Sequence, residues 1–213
     1  MSATLYYLSG SPYAWRAWLA LEHKGVPFEL RTISYDAGDF KKPEFAALNP
    51  RRRVPVLVDD GFALYESAAI VEYIEDKWPG PRLFATDPRR RAVQRRMIRE
   101  ADQYFAEGLE HLVDAVLFTP KEKRSRARIE SAAQAIATEL GMWENLIEGD
   151  YLAGELSAVD FTLYPELALA RRIAIRNPDL ELGGWPGAKL TAWAARMEVL
   201  PIVRKTWPPH WKS

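Results

Sequence analysis

The sequence predicts a small α/β domain followed by an all-helical one. Three observations carry that expectation. The apolar period changes repeatedly over residues 1–80, the Pro- and Gly-rich stretch "WPGPRLFATDP" marks a linker set at 81–88, and the period over 89–213 is helical almost throughout. With 213 residues, 48% of them hydrophobic, the chain can bury a sizeable core.

Each element has its own signal. Thr4 to Leu8 reads as a strand, "SPYAWRAWLALEHKG" as a helix that Gly25 ends, and "VPFELRTI" as an alternating strand with Phe28, Leu30 and Thr32 on one side. Strand, helix, strand normally gives a parallel pair with a right-handed crossover. A short segment, Pro43 to Leu48, is closed by Asn49-Pro50. "VPVLVDDGFALY" gives two strands about Asp60-Gly61, a dipeptide suited to the positive φ angles of a tight hairpin. After Glu66-Ser67, Ile70, Ile74 and Trp78 share a helical face and Pro79 stops the helix.

In the second half, Asp87 before Pro88 is an N-cap followed by proline at the first helical position. Thr119 with Glu122 reads as a capping box, again with Pro120 at the first position. Ile129, Ala133, Ile136, Leu140, Trp143 and Ile147 form one stripe of a long helix. In "GELSAVDFTLYPEL", Ser157 and Asp160 make an S-x-x-D cap, with Leu156 and Phe161 as its apolar staple. Such a cap contributes about 1 kcal/mol. Asp160 is therefore read as structural and not catalytic.

Composition excludes several function classes. A formal net charge of +0 argues against a general nucleic-acid binder. No apolar run reaches membrane-spanning length, and "MSATLYYLSG" lacks the pattern of a secretory leader, so cytoplasmic residence is the expectation. The absence of cysteine removes disulfides, cysteine nucleophiles and thiolate metal sites. The three histidines, His23, His111 and His210, are too scattered to suggest a metal site. Any thiol chemistry must come from a ligand.

The stretch "LSGSPYAWRAWLAL" places the hydroxyls of Ser9 and Ser11 and the phenol of Tyr13 at the mouth of a helix, where backbone N–H groups lack intrahelical partners. That is a place to hold an anion.

Three features in fixed order, "SPYAWR", "NPRRRVPVLVDDGFALYES" and the cap "LSAVDFTL", resemble the cytosolic glutathione transferases over nearly the whole chain. The most specific part is Val54-Pro55 followed eleven residues later by Glu66-Ser67. The resemblance implies an α/β thioredoxin-like N-terminal domain that holds glutathione, followed by an all-α C-terminal helical domain. "SPYA" falls where a redox relative carries a Cys-Pro-Tyr-Cys pair, with Ser11 and Ala14 in place of the sulfurs.

The resemblance also implies site residues. In serine-type members the active serine lies five residues before an arginine at the position of Arg16, which favours Ser11, then Tyr13, then Ser9, as donor to the glutathione sulfur. Ser11 as a plain helix cap is the structural alternative, and the two roles are compatible. Tyrosine-type members use a residue near Tyr6 and Tyr7 instead. Val54, ahead of a cis Pro55, would pair with the cysteinyl backbone. Glu66 would meet the γ-glutamyl ammonium, and Ser67 its carboxylate. As structural residues these are a solvated side chain and an N-cap. Arg53, Lys41 and Lys42 are the candidates for the glycine carboxylate, although Arg51-Arg52-Arg53 also reads as a solvated face.

A hydrophobic electrophile is the implied second substrate, with Tyr104, Phe105, Leu109, His111, Trp207 and Trp211 as possible lining residues and core packing as their ordinary alternative. The implied protein is a homodimeric, detoxifying, cytoplasmic enzyme with glutathione as co-substrate and no metal, nucleic-acid or membrane partner. A maleylacetoacetate isomerase would be expected to show Ser-Ser-Cys where this chain has Ser11-Pro12-Tyr13, and cysteine-type classes are excluded. The other readings are a non-catalytic binding or assembly module that kept the fold, and a related glutathione-dependent dehalogenase, isomerase or peroxidase.

Overall fold

Strand β1 (Ala3–Tyr7) is buried on both faces, as a central strand must be. In the computed structural model, which describes residues 3–147, 149–183 and 185–211, it lies inside a four-stranded sheet of order β2-β1-β3-β4. Its partners are β2 (Phe28–Thr32), parallel, and β3 (Val56–Asp59), antiparallel, which in turn pairs with β4 (Phe62–Tyr65). β2 is an edge strand, so Phe28 and Leu30 are only half-buried and Thr32 is exposed. The hairpin joining β3 to β4 turns on Asp60 at φ 53° and Gly61 at φ 89°, the two positive angles expected of the dipeptide.

Helix α1 (Pro12–Lys24) starts at the N-cap Ser11 and ends at Gly25, whose φ of 67° lets its N–H reach back to the Glu22 carbonyl. Helix α3 (Ser67–Lys77) packs beside it. On that side Leu5, Leu19, Leu57, Ile70 and Ile74 are fully buried. On the other, the short α2 (Pro43–Leu48) brings Phe45 to Ile33, Phe40 and Val56. This is the thioredoxin-like arrangement of sheet and helices.

Two compact units divide the chain, one running through Ala85 and joined by the segment from Leu200, the other Thr86–Val199. The sequence division at 81–88 assigned that last segment to the helical part. Its packing puts it elsewhere. Helix α9 (Pro201–Thr206) lies on α1, where Trp15 Nε1 donates to Thr206 Oγ1 at 2.7 Å and Trp207 and Trp211 meet the Trp15 ring edge-on.

The second unit is mainly helical, with isolated bridges between Tyr151 and Gly154 and between Ala153 and Glu155 in the connection before its next-to-last long helix. α4 (Pro88–Glu100), capped by Asp87 accepting from Arg90 N–H, continues through a π-helical turn at Ala101–Phe105 into α5 (Ala106–Val116). α6 (Arg126–Leu146), α7 (Ala158–Arg176) and α8 (Ala188–Val199) complete it. The expected cap at Thr119 and Glu122 does not form. Thr119 Oγ1 donates instead to the Asp114 carbonyl, Pro120 precedes only a short 3-10 turn, and α6 begins after Ser125, which accepts from Arg128 N–H. The α6 stripe uses Ala132 and leaves Ala133 half-buried. The cap at Ser157 and Asp160 does form, with Asp160 fully buried.

Candidate functional site

Strand register gathers the chemistry at one end of the sheet. Tyr6 pairs with Val56 and Val56 with Tyr65 in antiparallel register, so the exit of β1, the entry of β3 and the exit of β4 lie together. Those ends carry Ser9–Ser11, Val54-Pro55 and Glu66-Ser67. β2 runs parallel to β1 with Thr32 beside Tyr7, so the turn with Lys41 and Lys42 also follows a strand exit at this end.

Ser11 is the N-cap of α1, and its Oγ accepts from Ala14 N–H at 3.3 Å. A hydroxyl that accepts from the helix keeps its own proton for a second partner. The cap role and the role of an outward donor therefore coexist in one side chain. Of the alternatives, Ser9 Oγ is bonded to His210 Nδ1 at 2.9 Å, and Tyr13 offers its ring to the Arg16 guanidinium at 5.7 Å. Tyr6 Oη accepts from Arg31 at 3.2 Å, and Tyr7 is packed edge-on against Trp18.

The start of α3 departs from an ordinary cap. Glu66 occupies the N-cap position with φ 72° and ψ 106° and makes no side-chain cap, so Ser67 is the first helical residue and not the cap. A non-glycine residue at such an angle costs of order 1 to 3 kcal/mol and points to a constraint beyond folding. Ser67 is buried, and its Oγ accepts from Arg16 Nη2 at 2.6 Å. Arg16, itself only 2% exposed, thus joins α1 to the mouth of α3. First-turn N–H groups, a hydroxyl and a guanidinium converge where a carboxylate could sit.

The Val54-Pro55 bond is cis, and Val54 is half-buried against the cluster around Phe45. Asn49 shapes the preceding loop: its Nδ2 donates to the Arg53 carbonyl at 2.8 Å and its Oδ1 accepts from Arg51 N–H at 2.9 Å. The Arg53 side chain is exposed. Lys42 is drawn to Asp39 at 2.6 Å, whereas Lys41 projects from the same turn into solvent. Among the described residues, no group of three or more His, Cys, Asp or Glu could hold a metal ion, and no helix is long and apolar enough to cross a membrane.

The residues considered for an electrophile divide. Phe105 and Leu109 are core residues of the helical unit, while Tyr104 and His111 are exposed. Trp211, which is buried, and Trp207, which is half-buried, pack on Trp15 in the first unit and on each other.

Residues 10–77 match the family model described as "Glutathione S-transferase, N-terminal domain". Maleylacetoacetate isomerase of Mus musculus is 32% identical over 177 residues, covering 80% of this chain and 79% of that protein. The chain belongs to the cytosolic glutathione transferase family. A probable maleylacetoacetate isomerase of Vibrio cholerae is 30% identical over 99% of this chain and 97% of its own length. The solved theta class glutathione S-transferase of Xanthomonas axonopodis pv. citri, which has glutathione bound, is 26% identical, with a TM-score of 0.79 and 96% of each chain covered.

Two features of this site are not marked by the sequence motifs of the family. Arg16 served there only to fix the offset of Ser11, although a lone charge within "AWRAWLAL" already signals a buried cation in need of a partner. The positive φ of Glu66 leaves no trace in a residue type that ordinarily avoids it.

Proposed function

We propose that this family member binds glutathione at the strand ends of its first unit and activates the thiol as thiolate for attack on a hydrophobic electrophile. The observation that carries the reading is the Ser11 hydroxyl at the N-cap of α1, accepting from Ala14 and keeping a proton for the sulfur. Free thiols ionise near pH 8.5, so most of the bound thiol becomes anionic if its pKa falls by about two units, which needs roughly 2.7 kcal/mol. A charge-assisted hydrogen bond of about 1.5 to 3 kcal/mol, with up to about 1 from the helix dipole, is sufficient.

In this reading Val54 pairs with the cysteinyl backbone. Ser67 and the first-turn N–H groups of α3 take the γ-glutamyl carboxylate while Glu66 meets the ammonium, and Arg53 or Lys41 faces the glycine carboxylate. The protein contributes orientation and electrostatic stabilisation, with no covalent intermediate of its own. The family supports a homodimer in the cytoplasm. The test is Ser11→Ala, which should reduce conjugation of an aromatic halide by about 100-fold and raise the pKa of bound glutathione by about two units. Full activity with an unmoved thiol pKa overturns the assignment.

One observation favours a second reading. Both relatives named above are called maleylacetoacetate isomerases. A thiolate held the same way can add reversibly to a cis-enedione and release the trans isomer, regenerating glutathione. Ser11-Pro12-Tyr13 departs from the isomerase motif, which weighs toward conjugation. A panel containing an aromatic halide and a cis-enedione acid separates the two. Glutathione calorimetry separates both from a non-catalytic module, which would give no heat of binding.

A further inference from the structure

The C-terminal segment reaches the mouth of α1. His210 lies in the 3-10 turn Pro209–Trp211, and its Nδ1 is hydrogen-bonded to Ser9 Oγ at 2.9 Å. Between Ser9 and Ser11 stands Gly10, with φ 85°; a side-chain carbon there would lie 3.0 Å from His210 Cε1 and 3.2 Å from Trp211 Nε1. A side chain at that point would be strained by the positive φ and would need the imidazole and the indole to give by a few tenths of an ångström. Beneath them, Tyr7, Ser9, Ser11, Trp15 and Pro208 leave a void of only about 10 Å³.

The segment is itself anchored. Trp207 and Trp211 meet Trp15 at ring-centre distances of 5.4 and 5.7 Å, Trp15 Nε1 donates to Thr206, and Lys205 pairs with Glu22 at 2.7 Å. His210 is therefore carried on a fixed support. On the inner side of the loop, Ser11 N–H donates to the Leu8 carbonyl at 3.0 Å. Ser9–Ser11 is thus held by its own turn bond and, at Ser9, by a residue some two hundred positions away in sequence.

We propose that His210 is a positioning residue: by holding Ser9 and covering Gly10, it sets where the Ser11 hydroxyl points. This rests on the reading of Ser11 as donor to glutathione sulfur. It also gives Ser9 its part, as the handle through which the C-terminal segment fixes the loop and not as the sulfur donor. A displacement of about 1 Å at a reacting group can cost about 100-fold in rate, so a loop held on one side only should lose much of its activity.

The test compares the full chain with His210→Ala, His210→Asn and Ser9→Ala. The Asn side chain places an amide near the position of Nδ1. Expected for His210→Ala are a fall in kcat of about tenfold toward an aromatic halide, a KM for glutathione changed by less than about threefold, and a bound-thiol pKa raised by about one unit. His210→Asn should recover most of this, and Ser9→Ala should reproduce the loss without adding to it in the double variant. Amide hydrogen exchange over Ser9–Trp15 without ligand should be faster in His210→Ala. Faster exchange with unchanged kcat and thiol pKa would make His210 merely structural and overturn the proposal, as would unchanged exchange. No heat of glutathione binding in the wild type would overturn the glutathione reading and this inference together. Binding with an unaffected His210→Ala overturns the positioning role alone.

Discussion

Arg16 Nη2 donates to Ser67 Oγ at 2.6 Å, joining the first helix to the start of the third beneath the surface. Burying a guanidinium is costly, so a contact of this kind is by itself a weak reason for stability. It is a good arrangement for orienting Ser67 and adding positive potential at the helix mouth to which the proposed function assigns the γ-glutamyl carboxylate. Arg16→Met is expected to weaken glutathione binding at least tenfold, about 1.4 kcal/mol, by calorimetry. Ser67→Ala should act in the same direction, and the double variant should fall short of the sum by about 0.5 kcal/mol or more, the mark of two groups acting through one contact. Additive losses would show that they act separately.

Glu66 tests whether strain is kept for binding. At φ 72° and ψ 106° a glycine meets less steric cost than a residue with a side chain, so Glu66→Gly should stabilise the fold by about 1 kcal/mol, after allowing for the freer unfolded chain. The same change removes the carboxylate assigned to the γ-glutamyl ammonium and should raise the KM for glutathione about tenfold. Glu66→Gln keeps the strain and loses only the charge. Denaturant unfolding and steady-state kinetics on both variants should show stability rising only in the first, with affinity falling in both.

The cations near the glycine end should differ by their partners. Lys42 is already drawn to Asp39, whose own pKa is lowered mainly by that hydrogen bond, while Lys41 and Arg53 are solvent-exposed. Removing Lys41 or Arg53 is expected to weaken glutathione binding by up to about fivefold at low salt and less as ionic strength rises. Lys42→Ala should leave binding within about twofold. A larger effect at Lys42 than at Lys41 would reverse the assignment.

The parts of this fold legible in the sequence were those fixed locally. Asp60-Gly61, the cap at Asp87, the helix stop at Gly25 and the S-x-x-D cap each depend on a few neighbouring residues, and each forms as read. Thr119 shows the limit of such reasoning. Its hydroxyl donates back to the carbonyl of Asp114, the chain after it makes only a short 3-10 turn, and Ser125 starts the helix. What the sequence could not convey was which distant segment would cover which surface. Trp207 and Trp211 suit a ligand pocket or a core equally by composition, and only the structure shows both packed on Trp15, with Trp211 buried and Trp207 half-buried. The site shows the same division: Ser11 and Ser67 follow from motif order, but the Arg16 and His210 contacts close across fifty-one and two hundred and one residues of chain.

Asp160 gives the helical unit a pH dependence of definite sign. Its carboxyl accepts from Leu152 N–H, from the N–H and hydroxyl of Ser157 and from Trp193 Nε1, all of which favour the ionised form. Complete burial works against them and prevails, pushing its pKa up to about 6. The unfolded chain titrates this group near 3.9, so between the two values the folded state holds a proton that the unfolded state has lost. The stabilisation from protonation is fully present below about pH 3.9 and is lost as pH rises through about 6. Against Asp160→Asn, which cannot titrate, the wild type should therefore gain about 2 kcal/mol in unfolding free energy on going from about pH 7 to about pH 4.5. Urea unfolding of both proteins at the two pH values measures the difference, and referring each to the variant cancels the titration of all other groups. A wild type that loses stability relative to Asp160→Asn on acidification would mean that the donors outweigh burial and hold the carboxylate ionised.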